Sequence, residues 1–115
     1  MQVPIGPEGT ATVVLDSSGD GTAKVGPAGT REAWQPLVAS VICSSNNSEA
    51  RCRVYLGDSE ATWRFIDGTL SGSTGDSTGN VAGLPVPFGR WIWAVWTGGD
   101  PGATATLTVN GTKTV

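Results

Sequence analysis

A chain of 115 residues with 17 glycines, 7 prolines and a net charge of −3 has room for one hydrophobic core and no more. That charge, with no basic stripe to neutralise phosphates, argues against nucleic acid as a partner. No apolar run is long enough to span a membrane, and glycine and proline without a triplet period exclude collagen and indicate a turn-rich β protein.

The opening MQVPIGPEGTATVV has neither the charged start nor the apolar stretch of a secretory signal, so none is expected there. Strands are predicted at 10–16 (TATVVLD), 21–26 (GTAKVG), 37–44 (LVASVICS), 50–57 (ARCRVYLG), 62–67 (TWRFID), 80–86, 90–97 and 103–110, with Thr112–Val115 extending the last. Apolar positions alternate along these segments, and Gly, Asp, Ser or Pro clusters divide them at roughly the 8–12-residue spacing of a sandwich or barrel. The expectation is an all-β fold: a single-domain antiparallel β-sandwich of about eight strands over 1–115, jelly-roll-like. GTLSGSTGDSTG (Gly68–Gly79) reads as the longest and most mobile loop. DSSGDG (Asp16–Gly21) faintly resembles a calcium loop but lacks its alternating ligands and distal glutamate, so a hairpin turn is the better reading.

Registers follow from the alternation. Folding the connection SSNNSEA symmetrically sets Cys43 opposite Cys52, Val41 opposite Val54 and Ala39 opposite Leu56. Directly opposite residues lie roughly 4.5–5.5 Å apart. The two cysteines are therefore either a cross-strand disulfide or a pair of reduced thiols acting as small hydrophobes in the core. In RWIWAVWTGGDPGATATLTV (Arg90–Val109), a hairpin with Thr97 facing Thr104 gathers Ile92, Ala94 and Trp96 with Ala105, Leu107 and Val109 on one apolar face. Trp91 and Trp93 then lie on the more polar face, and a one-residue slip would exchange the two. The expected core is Val13, Leu15, Val41, Val54, Leu56, Ile92, Leu107 and Val109.

Catalytic chemistry finds little support. The chain has no histidine, which removes His-based triads and zinc sites, and two cysteines are too few for a structural zinc. The carboxylates are scattered beside glycines in turns (Asp16, Asp20, Asp58, Asp67, Asp76, Asp100), with no pair singled out for glycoside hydrolysis. No catalytic residue, metal site or cofactor is expected. Asn46-Asn47-Ser48 and Asn110-Gly111-Thr112 match a glycosylation sequon that is common by chance. The candidates for an interface or ligand site are Trp91, Trp93, Trp34 and Trp63, because exposed tryptophans anchor protein contacts and stack on sugars. Trp96 is assigned to the core, and Trp34, just before a proline and a strand, is also placed to pack the mouth of the sandwich.

The order LDSSGDGTAKVGP, REAWQPLVASV, CRVYLGDS, DGTLSGSTGDST and AVWTGGDPGATATLTVNGT resembles small β-rich virion structural proteins of tailed phages of actinobacteria. The likeness covers nearly the whole chain and is most specific in the turn from Trp96 to Ala103 and the strand after it. It implies a non-enzymatic virion protein, of capsid-decoration or minor-tail type, made in the host cytoplasm. Such a subunit would act through contacts with other virion proteins, as a homo-oligomer, with Trp91, Trp93 and the Gly68–Gly79 loop as first interface candidates. The alternative expectation is a carbohydrate- or receptor-binding module that meets a cell-surface glycan through exposed tryptophans.

Overall fold

The computed structural model describes residues 1–60 and 63–115. Ten strands follow in chain order: β1 (Gln2–Pro4), β2 (Thr10–Val14), β3 (Gly21–Val25), β4 (Ala33–Cys43), β5 (Arg51–Gly57), β6 (Arg64–Ser71), β7 (Thr74–Thr78), β8 (Val86–Pro87), β9 (Trp91–Thr97) and β10 (Thr104–Thr114), with a 3-10 turn at Pro7–Gly9. They form two antiparallel sheets. In the first, β10 lies beside β4; β1 and β2 share the free edge of β10, and β7 and β8 share that of β4. The second sheet has the order β3-β9-β5-β6. β5 pairs with its successor β6, whereas β2, β4, β6 and β9 are each followed by a strand of the other sheet. This is the double Greek key of a jelly-roll sandwich.

The crossings change several expected pairings. Cys43 pairs in register with Ala105 and Thr74 in the first sheet, and Cys52 with Trp96 and Leu70 in the second. The expected cross-strand partnership of the two cysteines therefore does not exist; both are buried, free thiols. β9 and β10 likewise form no hairpin, because the Gly98–Ala103 connection carries the chain from one sheet to the other. The face assignment survives this change: Ile92, Ala94 and Trp96 are buried, as are Ala105, Leu107 and Val109, but they meet across the core instead of side by side. The segment expected to be a mobile loop, Gly68–Gly79, contains the end of β6, a turn and all of β7. Its serines and threonines take part in sheet bonding and in a network on Asp67, whose carboxylate accepts bonds from the Thr69 hydroxyl (2.7 Å), the Thr78 hydroxyl (2.8 Å) and the Asn80 amide (3.2 Å). The strand expected at 80–86 is mostly turn, with only Val86 extended. Of the strand expected at 62–67, Thr62 lies outside the described residues and the rest is shifted to begin at Arg64.

Alternation explains why these segments are strands. Along β10 the side chains of Ala105, Leu107 and Val109 are buried while the intervening threonines face outward, the period of two that a half-buried strand requires. On that outer face Thr12 and Thr106 are hydrogen-bonded neighbours at 3.1 Å. Inside, Leu15, Val41, Val54, Leu56, Leu70, Trp34 and Trp96 fill the space between the sheets; of the expected core only Val13 is half-buried.

One end of the sandwich is tied together. The β2–β3, β4–β5 and β9–β10 connections exchange bonds: Gly98 N–H to Asp20 (3.2 Å), Gly99 N–H to the Gly19 carbonyl (2.9 Å), Asn46 N–H to Asp100 (2.7 Å) and the Asn47 amide to the Gly98 carbonyl (2.9 Å). Gly19 sits at φ +78° with its α-carbon against the backbone of Gly99, a position where a side chain would be strained and would also collide.

Candidate functional site

The outer face of the second sheet collects five of the chain's aromatic residues, Tyr55, Trp63, Phe65, Trp91 and Trp93. With Ala23, Val25, Val54, Leu56, Ile92 and Ala94 turned into the core, their sequence neighbours must point the other way. The registers align Lys24 with Trp93, Trp93 with Tyr55 and Tyr55 with Phe65, so a single row crosses all four strands as Lys24–Trp93–Tyr55–Phe65. Trp91 continues this face at the end of β9, where it opposes Gly57 and lies over Gly26. A β-carbon on Gly26 would come within 2.8 Å of the indole, so a side chain there would force the ring to move.

Trp63, just before β6, folds onto this row. Its ring stacks on Tyr55 at 4.4 Å and 15° and meets Trp93 at 5.4 Å and 58°. Tyr55 meets Phe65 edge-on at 5.9 Å and 67°. These are the offset and tilted geometries favoured by aromatic quadrupoles. The Lys24 ammonium stands 4.5 Å from the Trp91 ring and 5.0 Å from that of Trp93, within cation–π range. Trp93 is only 9% exposed, and its indole N–H donates to the Gly57 carbonyl at 2.9 Å. Phe65 is 60% exposed and is the open apolar element of the group. Arg53 projects beside it from β5, with its side chain and the Phe65 ring both close to Gly68. At the end of the sheet a cavity of about 190 Å³ is lined by Leu56, Gly57, Asp58, Arg64 and Arg90.

Of the sequence-predicted site residues, Trp91, Trp93 and Trp63 are brought together here. Trp34 is a correction: it is fully buried, pairs with Val86 and Lys113 in the first sheet, and cannot meet a partner or ligand. Sequence reasoning missed Tyr55, Phe65 and Lys24. The parity of CRVYLG would have exposed Tyr55 once Cys52, Val54 and Leu56 were turned inward; Phe65 needed the β5–β6 register, which carries two irregularities.

Burial pushes the Cys52 thiol up to about 12, which leaves it protonated and unreactive at neutral pH. The hydroxyl and backbone N–H of Thr69 hold Asp67 below its ordinary carboxylate range. Among the described residues no group of three or more His, Cys, Asp or Glu side chains is placed to hold a metal ion. What the face offers is apolar area, ring edges and positive charge.

No protein-family profile and no curated protein sequence matches the chain. Solved structures share its general shape at a distance. The Yersinia pseudotuberculosis-derived mitogen aligns over 89% of this chain and 82% of its own, with 15% identity and a TM-score of 0.46. A protein of Bacteroides thetaiotaomicron described as an alpha-L-fucosidase aligns over 96% of this chain but 22% of its own (11% identity, TM-score 0.43). The infectious bursal disease virus Gx strain structure aligns over 96% of this chain and 35% of its own (11% identity, TM-score 0.29). The viral likeness is weak and not specific to phages.

Proposed function

We propose that this chain is a non-enzymatic structural subunit of a phage particle, displayed on the capsid or tail and held by protein contacts through the outer face of its β3-β9-β5-β6 sheet. One observation carries the reading: Trp91, Trp93, Trp63, Tyr55 and Phe65 share that face with Lys24. The solvent side of an antiparallel sheet is ordinarily polar, while aromatic residues and arginine are the side chains enriched where proteins dock. The phage setting is supported by the sequence resemblance, which runs through the Trp96–Ala103 turn and the strand after it.

The glycan-binding alternative is less favoured by the ring geometry. A sugar platform needs flat ring faces open to solvent. Here Tyr55 and Trp63 cover one face of each other and Lys24 lies over Trp91 and Trp93. A panel of soluble cell-wall glycans is expected to leave the tryptophan fluorescence unchanged, and a saturable shift would restore that alternative. The virion role is tested by immunogold labelling of intact particles of the phage that encodes the chain. Label on the head or tail is expected, and bare particles would overturn the reading.

A further inference from the structure

We propose that the occupant of this face is a second copy of the same chain, which presents to it the acidic loop end of its own sandwich. The inference rests on the docking role proposed above and adds the identity of the partner.

Charge is divided unevenly over the molecule. Lys24, Arg53, Arg64 and Arg90 are all exposed and belong to the second sheet or its flanks. They outnumber the acidic residues of β6 and the β5–β6 connection, Asp58, Glu60 and Asp67. The opposite end, formed by the β2–β3, β4–β5 and β9–β10 connections, carries Asp16, Asp20, Glu49 and Asp100. Its one nearby cation, Arg51, donates to the backbone carbonyls of Ser48 and Ala50. The ion pairs of Lys113 with Glu8 and Glu32 involve neither group. The molecule is 42 Å long and 21–25 Å across. In the second sheet the seven-residue strands β5 and β9, at roughly 3.3 Å per residue, separate the loop end from Arg64 and Arg90.

The acidic end is also preorganised. The bonds from Gly98 to Asp20, from Asn46 to Asp100 and from Asn47 to Gly98 fix three loops as one surface, so little ordering entropy is lost when it docks. A basic aromatic face and an acidic loop end are different patches. Their contact is therefore heterologous, and it closes into a ring or propagates as a chain according to the rotation between copies.

The test uses the purified full-length chain in sedimentation velocity. At about 0.05 M salt it should self-associate, and raising salt to about 0.5 M should weaken association by at least roughly tenfold, since exposed charges are then screened. A face variant, Lys24→Glu with Arg53→Glu, and an end variant, Ser17→Lys with Glu49→Lys, should each sediment as monomers with wild-type circular dichroism. Mixed in equal amounts they should associate again, because each variant then supplies the charge that the other has reversed. A wild-type chain that stays monomeric at low salt overturns the proposal, as does association that ignores both reversals. The docking role is judged separately: if Phe65→Ser is lost from particles while the pure chain remains monomeric, the face serves a different protein and only the self-association fails.

Discussion

Phe65 and Trp93 share one row of the second sheet, yet their replacement should have very unequal effects. Trp93 is nearly enclosed and its indole N–H is bonded to Gly57, so Trp93→Ser should cost about 3–5 kcal/mol, as truncation of a buried aromatic does. Phe65 is mostly open, and Phe65→Ser should change stability by less than about 1 kcal/mol. Urea unfolding of the two variants checks the contrast; equal losses would place Phe65 in the core. The thiols give a second check. Cys43 and Cys52 are free and buried, so a thiol reagent without reductant should find both in denaturant and neither in the native protein. A third concerns acid. The Lys113 ammonium, 2.6 Å from the Glu8 carboxylate, holds that group below its ordinary value of 4.5. The unfolded chain then takes the proton more readily than the folded one, so the stabilisation is complete above that ordinary value and is lost as pH falls through the lowered folded value. Glu8→Gln should flatten the acid limb of the stability curve, and an unaltered limb would show that the pair contributes nothing. At this scale the preferred register set Trp96 in the core and Trp91 and Trp93 outside while a one-residue slip stayed open; Trp96 is buried, and Trp93, although on the outer sheet face, is only 9% exposed. Trp34 could not be placed that way, because its burial depends on β4 beginning at Ala33, four residues before its apolar run.

Most strand positions were legible and most strand partners were not. Period-two alternation says which way a side chain points without naming the strand beside it. Reading Cys43 opposite Cys52 and Thr97 opposite Thr104 assumed that consecutive strands pair, as they often do. In this jelly roll, β4 and β9 are each followed by a strand of the opposite sheet, so the inferred apolar faces were kept while the hydrogen-bonded neighbours changed. β7 was read as loop because TGDST has few apolar residues. It is held by pairing to β4, which lies some thirty residues earlier in the chain, and by the Asp67 network. Leu107 shows what the element scale predicts. It is fully buried between Val41 and Ala11 in register, so Leu107→Ala should cost roughly 2–5 kcal/mol without altering the Thr face of β10. A melting temperature within a degree or two of wild type would contradict the position of β10 in the core.

For the whole molecule, the jelly-roll sandwich presents two unlike outer faces. The first sheet turns out threonines and other small polar residues, with Val14, Leu37 and Ile42 among its large apolar ones. The second turns out aromatic rings and cations. Composition foretold a turn-rich β protein, but a net charge of −3 concealed how the basic residues are distributed, because net charge carries no information about position. The central claim is that this second face fastens the subunit into a particle. Its most direct measurement is incorporation: wild-type chain and the Phe65→Ser, Arg53→Glu double variant are supplied together during infection, and purified particles are assayed for each by mass spectrometry. The double variant should fold and accumulate in the lysate yet be depleted from particles at least roughly tenfold, the loss expected when about 1.4 kcal/mol or more of docking energy is removed. Equal incorporation of the two chains would contradict the account and move the interface to another surface.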